Sequence, residues 1–234
     1  PQAVNLTALE QAEIGSNEEA QAQQQQQVQE IPKAEVPEVE LFVMSHCPYG
    51  TQIEKGILPV LDLFGDKIDF ELKFVNYVMH GEKEIKEQML QYCVQKDYPA
   101  QLMNYLTCFL EDGDTERCLD ETELDREVLD SCIEDAEEEF GVMKDFADQS
   151  TWMGQFPRFS IHQEENQLYG VRGSPTLVIN QETVSSERSP AAIQEVICSA
   201  FEDAPEECDT ALSTATPGPG FGLDSTGSAT TAQC

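Results

Sequence analysis

The sequence is short of positive charge. Lysine and arginine number 13 against 45 aspartates and glutamates, a formal net charge of −32 over 234 residues. Such a chain repels phosphates, so nucleic acid is not an expected partner, and an anionic membrane face is disfavoured for the same reason. No apolar run approaches the roughly 18–20 residues that span a bilayer, and no basic-then-apolar leader is present. The chain opens at Pro1 without a methionine and reads as a processed or trimmed form. Also missing is any C-x-x-C pair, although there are eight cysteines: Cys47, Cys93, Cys108, Cys118, Cys132, Cys198, Cys208 and Cys234. Close pairs are what most structural zinc sites need, so zinc is a poor reading. Scattered cysteines suit disulfides and an oxidising, extracytoplasmic compartment; buried free thiols are the alternative. Asp112, Asp114 and Glu116 gather around Gly113, but without the glycine-at-six, glutamate-at-twelve layout of a calcium loop, so no metal is expected.

What is present centres on Val39–Tyr49, V-E-L-F-V-M-S-H-C-P-Y, followed by Gly50. A β-rich apolar run ends in a cysteine, a proline follows, and a helical pattern begins with Ile53, Ile57, Leu61 and Phe64. Cys47 is thereby placed at a helix N-terminus, where unsatisfied N–H groups favour a thiolate. Pro48 suits the first helical turn, and Pro59 is expected to kink the helix. His46, if protonated beside Cys47, is a candidate for lowering the thiol pKa; the alternative is that adjacent side chains point apart. A second strand begins at Ile68, with Phe70, Leu72 and Phe74 alternating against Asp69, Glu71 and Lys73. The strand–helix–strand order predicts parallel pairing through a right-handed crossover.

Residues 1–37 form a Gln/Glu-rich, low-complexity stretch with Gln23–Gln27 at its centre, expected to be a disordered linker, with a membrane anchor or signal upstream. A helical, acidic block of about 82–150 carries four of the cysteines. A short helix is expected within Phe159–Tyr169. Gly173-Ser174-Pro175 then leads into an apolar strand from Thr176, with a hairpin partner near Thr183–Ser185. Ser189 and Pro190 open a last helix as N-cap and first residue. A globular domain over 38–208 is expected, and the Ser/Thr/Gly/Pro-rich 209–234 reads as a flexible tail.

Two pieces coincide: a strand ending in Cys47-Pro48-Tyr49, and Val171-Arg172-Gly173-Ser174-Pro175-Thr176 before a late strand. Together they resemble the thioredoxin-like superfamily, its DsbA-like branch most closely, over about Val39–Phe201. The resemblance implies an α/β thioredoxin-like fold, a central sheet flanked by helices, with the 82–150 block as an α-helical insertion. It implies that Pro175 is a cis-proline facing the active-site cysteine, and that Ser174 pairs with substrate backbone, with Pro48 and Tyr49 also on the substrate side.

The sequence departs from the family at the fourth motif position, where Gly50 replaces the resolving cysteine. A lone Cys47 can still attack a substrate disulfide and form a mixed disulfide, but release needs another thiol: one in the substrate, a small thiol such as glutathione, or another cysteine of this chain. No other cofactor is implied. The family's acidic group beneath the site has no evident counterpart, since Leu41 lies six residues before Cys47 and Glu40, one position off, is expected on the opposite face. With this resemblance in view, the preferred disulfides are Cys93–Cys132, Cys108–Cys118 and Cys198–Cys208, one choice among 105 complete connectivities. Cys47 and Cys234 are left over. Cys234 is then a tethered resolving thiol, a bystander, or half of an intermolecular bond. The expected activity is monothiol thiol–disulfide exchange, as oxidoreductase or isomerase, on disulfide- or thiol-containing proteins; the alternative is a redox-inactive peptide-binding module.

Overall fold

The computed structural model describes residues 30–223. Among them, four strands form one sheet in the order β2-β1-β3-β4. Strand β1 (Glu38–Val43) and β2 (Asp69–Phe74) run parallel, joined by helix α1 (Pro48–Phe64). β3 (Thr176–Ile179) lies antiparallel to β1, and β4 (Glu182–Val184) returns from it as a hairpin. The hairpin turn is Asn180-Gln181, both at positive φ (48° and 69°), the backbone a tight two-residue turn of this hand requires. α1 continues through Pro59, which faces solvent.

Alternation on β1 explains the layers. Val39, Leu41 and Val43 are buried in the main core with Ile53, Ile57, Leu61 and Phe64 of α1 and Ile193 and Ile197 of α8 (Pro190–Cys198). Phe42 and Met44 point the other way, into a smaller cluster with Val75, Val171 and Val178. Ser189 caps α8 by accepting the Ala192 N–H at 3.3 Å. The exposed edge of β2 is blunted by side chains: Gln95 bonds both Leu72 N (2.7 Å) and Leu72 O (3.0 Å), and His162 Nδ1 accepts from Phe74 N at 3.0 Å.

Between β2 and β3 sits the helical insertion: α2 (Glu82–Asp97), α3 (Leu102–Asp112), α4 (Thr115–Glu121), α5 (Arg126–Phe140) and α6 (Val142–Ala147). A short α7 (Gln163–Leu168) follows. Disulfides join Cys93 to Cys132, tying α2 to α5, and Cys108 to Cys118, tying α3 to α4; a third, Cys198–Cys208, fastens the chain beyond α8. Removing such a link from a small domain typically costs 2–5 kcal/mol. The acidic residues around Gly113 serve the helices: Asp114 caps α4 through Arg117 N, and Asp112 pairs with Arg117 at 2.9 Å. No cluster able to hold a metal ion occurs among the described residues.

Both expected margins of the domain move outward. Ala34 bonds Ala200 O and Glu202 N (2.9 Å each), and Asn180 reaches Pro32 O at 2.6 Å, so the chain is built in from Ile31 rather than from residue 38. The tail is no free coil up to residue 223. Ala191 N bonds Ser213 O at 3.0 Å, and Pro217–Gly222 lies against α1 and α3. Specific hydrogen bonds hold a stretch whose composition alone suggested none. The glutamine run and Cys234 lie outside the described residues.

Candidate active site

Cys47 stands where β1 has ended and α1 begins. A turn, Cys47 N to Met44 O at 2.9 Å, reverses the chain, and Cys47 becomes the N-cap with Pro48 at the first helical position. Its Sγ accepts the Gly50 N–H at 3.3 Å, so the orphan donors of the helix are aimed at sulfur. From the far side of the sequence comes Ser174. Its carbonyl oxygen lies 3.6 Å from Cys47 Sγ, its Oγ accepts from Met44 N at 2.9 Å, and the Ser174–Pro175 peptide is cis. The sequence-predicted residues Cys47, Pro48, Ser174 and Pro175 are thus one locus. Tyr49 joins it, its ring 5.0 Å from the Arg188 guanidinium. Cys47 is fully buried and disulfide-bonded.

Gly50 is required by space. A Cβ there would come within 2.7 Å of Ser174 Oγ and 2.9 Å of Met44 O. The position that holds the second cysteine in a C-x-x-C motif is closed to any side chain unless its neighbours shift.

His46 faces away from a catalytic role as a cation. Burial, chiefly, and the nearby Lys83 push its pKa from 6.5 down to about 4, against the pull of Glu84. Its ring packs edge-on against Phe109 and Phe221, and its backbone N–H is held by Glu84 Oε1 at 3.3 Å. A neutral imidazole supplies no positive charge to lower the Cys47 pKa near pH 7. Its place is structural, because Glu84 also accepts from His80 Nδ1 (2.6 Å) and Met79 N (2.8 Å), pinning the Cys47 turn to α2.

Glu40 lies on the β1 face opposite Leu41, as strand alternation predicts; Phe42 and Met44 share that face and pack in the same cluster as Cys47. It is buried and lies 2.8 Å from Lys73 Nζ, which also reaches Glu71 and Glu165, each at 3.2 Å. Burial opposes the Lys73 charge, but its bond to Glu40 and these carboxylates outweigh it and raise its pKa.

A second buried acid was invisible in sequence. Glu54, two turns along α1 from Cys47, has both carboxylate oxygens buried without a hydrogen-bond partner, and burial, with Glu87 adding to it, raises its pKa to about 8. Glu87 of α2 is itself buried, accepting from Tyr105 Oη (2.9 Å), Gln91 Nε2 (2.8 Å) and Thr115 Oγ1. In a chain this acidic, nothing in the sequence marks these two glutamates off from the many solvated ones.

No protein-family model matches the chain, and no curated protein matches its sequence. Solved structures do match its shape. Reduced DsbA from Mycobacterium tuberculosis superposes with a TM-score of 0.52 at 15% identity, covering 77% of this chain and 92% of that one. The oxidised form gives 0.51 at 14% identity over 76% and 95%. Reduced DsbG from the same organism, a disulfide bond oxidoreductase, gives 0.50 at 14% identity over 77% and 88%. The fold is thioredoxin-like. Within it, Cys47 and cis-Pro175 occupy facing loops at one end of the sheet, and the helices between β2 and β3 form the insertion.

Proposed function

We propose that this protein carries out thiol–disulfide exchange on protein substrates, with Cys47 as the nucleophile. One observation carries the reading: the Cys47 sulfur receives a helix N-terminal N–H at 3.3 Å and faces the carbonyl of Ser174, immediately before Pro175, at 3.6 Å. The first feature stabilises a thiolate. The second offers an extended substrate a backbone partner beside the sulfur, with Pro48 and Tyr49 on its flank. The DsbA and DsbG likeness in fold agrees with it.

In the reductive direction, the Cys47 thiolate attacks one sulfur of a substrate disulfide. The substrate S–S bond breaks, a Cys47–substrate disulfide forms, and the departing substrate thiolate takes a proton. Cys234 then attacks Cys47, releasing the second substrate thiol and leaving a Cys47–Cys234 disulfide. Run backwards, that disulfide oxidises a substrate dithiol. Cys234 is chosen over glutathione because it is tethered to the same chain, and because Cys93, Cys108, Cys118, Cys132, Cys198 and Cys208 are committed to disulfides among themselves. Three further disulfides fit an oxidising, extracytoplasmic setting.

The test is turnover of a disulfide-bonded protein substrate with a thiol reductant, alongside trapping. Cys47→Ser should abolish turnover, and Cys234→Ser should accumulate a mixed disulfide that non-reducing electrophoresis displays. If the native chain turns over no faster than Cys47→Ser and traps nothing, the redox-inactive binding module takes its place.

A further inference from the structure

The tail beyond α8 does more than follow the domain. Pro217–Gly222 crosses α1 at the Cys47 end, and three kinds of contact hold it there. Gln52 Nε2 donates to Pro217 O at 2.6 Å, and Gln52 Oε1 is itself held by Arg188 at 2.7 Å. Gly220 N bonds Pro48 O at 3.0 Å and Gly222 N bonds Leu110 O at 2.9 Å, so the segment is stitched to the helix carrying Cys47 and to α3. Phe221 packs edge-on against Phe109 and His46, with ring centroids 5.3 and 5.9 Å away, over Gly113, where a Cβ would meet its ring at 2.8 Å.

At the centre is Lys55. Its buried ammonium donates to three alternate carbonyls: Gly218 O at 2.6 Å, Gly220 O at 2.7 Å and Gly222 O at 3.0 Å. Charge-assisted bonds are the stronger kind, and a buried ammonium left without them would carry a heavy penalty. An alternating row of glycine carbonyls is what lets one side chain gather three acceptors. Released into water, the same ammonium is solvated at no such penalty, so the contact can both hold and let go.

Cys47, meanwhile, has no exposed surface in its disulfide-bonded state, and the strap is anchored on the residue that follows it, through the Pro48 carbonyl. A protein disulfide cannot reach a sulfur in that state.

We propose that Pro217–Gly222 is a releasable strap, latched by Lys55, which holds Cys47 closed and peels from α1 before a protein substrate engages. Control of access rests on the reading of Cys47 as the exchanging thiol; docking of the strap stands independently. The strap is an internal ligand for a groove that takes an extended Gly/Pro-rich peptide with one aromatic anchor, and Lys55 is a positioning residue.

Hydrogen exchange at the Gly220 and Gly222 amides reads docking directly, and iodoacetamide labelling of Cys47 reads access. Both are run in a Cys234→Ser background, with Lys55→Met, which keeps the aliphatic stem, and with Phe221→Ala, which alters only the strap should Lys55→Met fold poorly. The expected result is protection of both amides by about 100-fold over a free peptide, loss of most of it in either variant, and Cys47 labelling faster by about tenfold. Amides that exchange at free-peptide rates without either substitution would overturn the strap. So would release of the amides with no change in Cys47 labelling. Faster labelling without any substrate turnover would instead uphold the strap and refute the exchange activity.

Discussion

The sulfur of Cys47 and the carbonyl oxygen of Ser174 lie 3.6 Å apart across 127 positions of sequence, and the Ser174 hydroxyl holds that approach by accepting from Met44 N at 2.9 Å. Ser174→Ala leaves the Met44 N–H short of its partner in a partly buried setting. It should destabilise the fold by about 1–2 kcal/mol, read as a lower urea midpoint at unchanged slope.

Gly50→Ala tests the closed fourth motif position. In an exposed helix the change would stabilise by up to about 1 kcal/mol. Here the new Cβ meets Ser174 Oγ and the Met44 carbonyl at under 3 Å, so overpacking should win, with a net cost of about 1–3 kcal/mol. Combining it with Ser174→Ala should cost less than the sum of the two, because one of the two clashes is gone.

Glu54 should make the fold less stable in base. Its acid form is favoured in the folded chain, with a pKa raised from 4.5 to about 8 by burial. The folded state therefore binds more protons than the unfolded one between those values. Its stabilising contribution is full below pH 4.5 and lost as pH rises through 8, on the order of 5 kcal/mol in all. Glu54→Gln should flatten that decline, leaving the fall of the same sign from Glu87, whose pKa burial also raises. Urea unfolding at pH 6 and pH 8.5 measures it; an unchanged decline would exclude Glu54 as the cause.

The acid side belongs to the buried histidines. His162, accepting from Phe74 N, has its pKa lowered from 6.5 to about 4, chiefly by burial. Here the unfolded state binds more protons between pH 4 and 6.5. The contribution is full above pH 6.5 and lost as pH falls through 4, on the order of 3 kcal/mol, and His46 adds a loss of the same sign. With Glu54 acting above, stability should peak near pH 6–7. His162→Gln, which keeps an acceptor, should shallow the acid limb in a pH series of thermal midpoints.

Much of the frame was legible along the chain. The alternation of β1 and β2, the apolar stripe of α1, the Ser189-Pro190 start of α8 and the position of the insertion all depend on near neighbours, which periodicity and capping rules describe. Cys47 at a helix N-terminus was legible for the same reason. The pairing of buried Glu40 with Lys73 was not, because it joins side chains of two different strands.

Composition and local order by themselves determined the acidity, the weight of cysteine and the strand–Cys–Pro–helix junction, since these are properties of residues and their immediate neighbours. Only tertiary structure decided that Gly50 is barred from bearing a side chain, that His46 is neutral, that Glu54 is buried, and that a Gly/Pro-rich tail is fastened by Lys55 to the helix that begins at Cys47. Each of these depends on atoms brought together from more than 30 positions away. Burial, charge and steric closure belong to that three-dimensional neighbourhood, which no window along the chain contains.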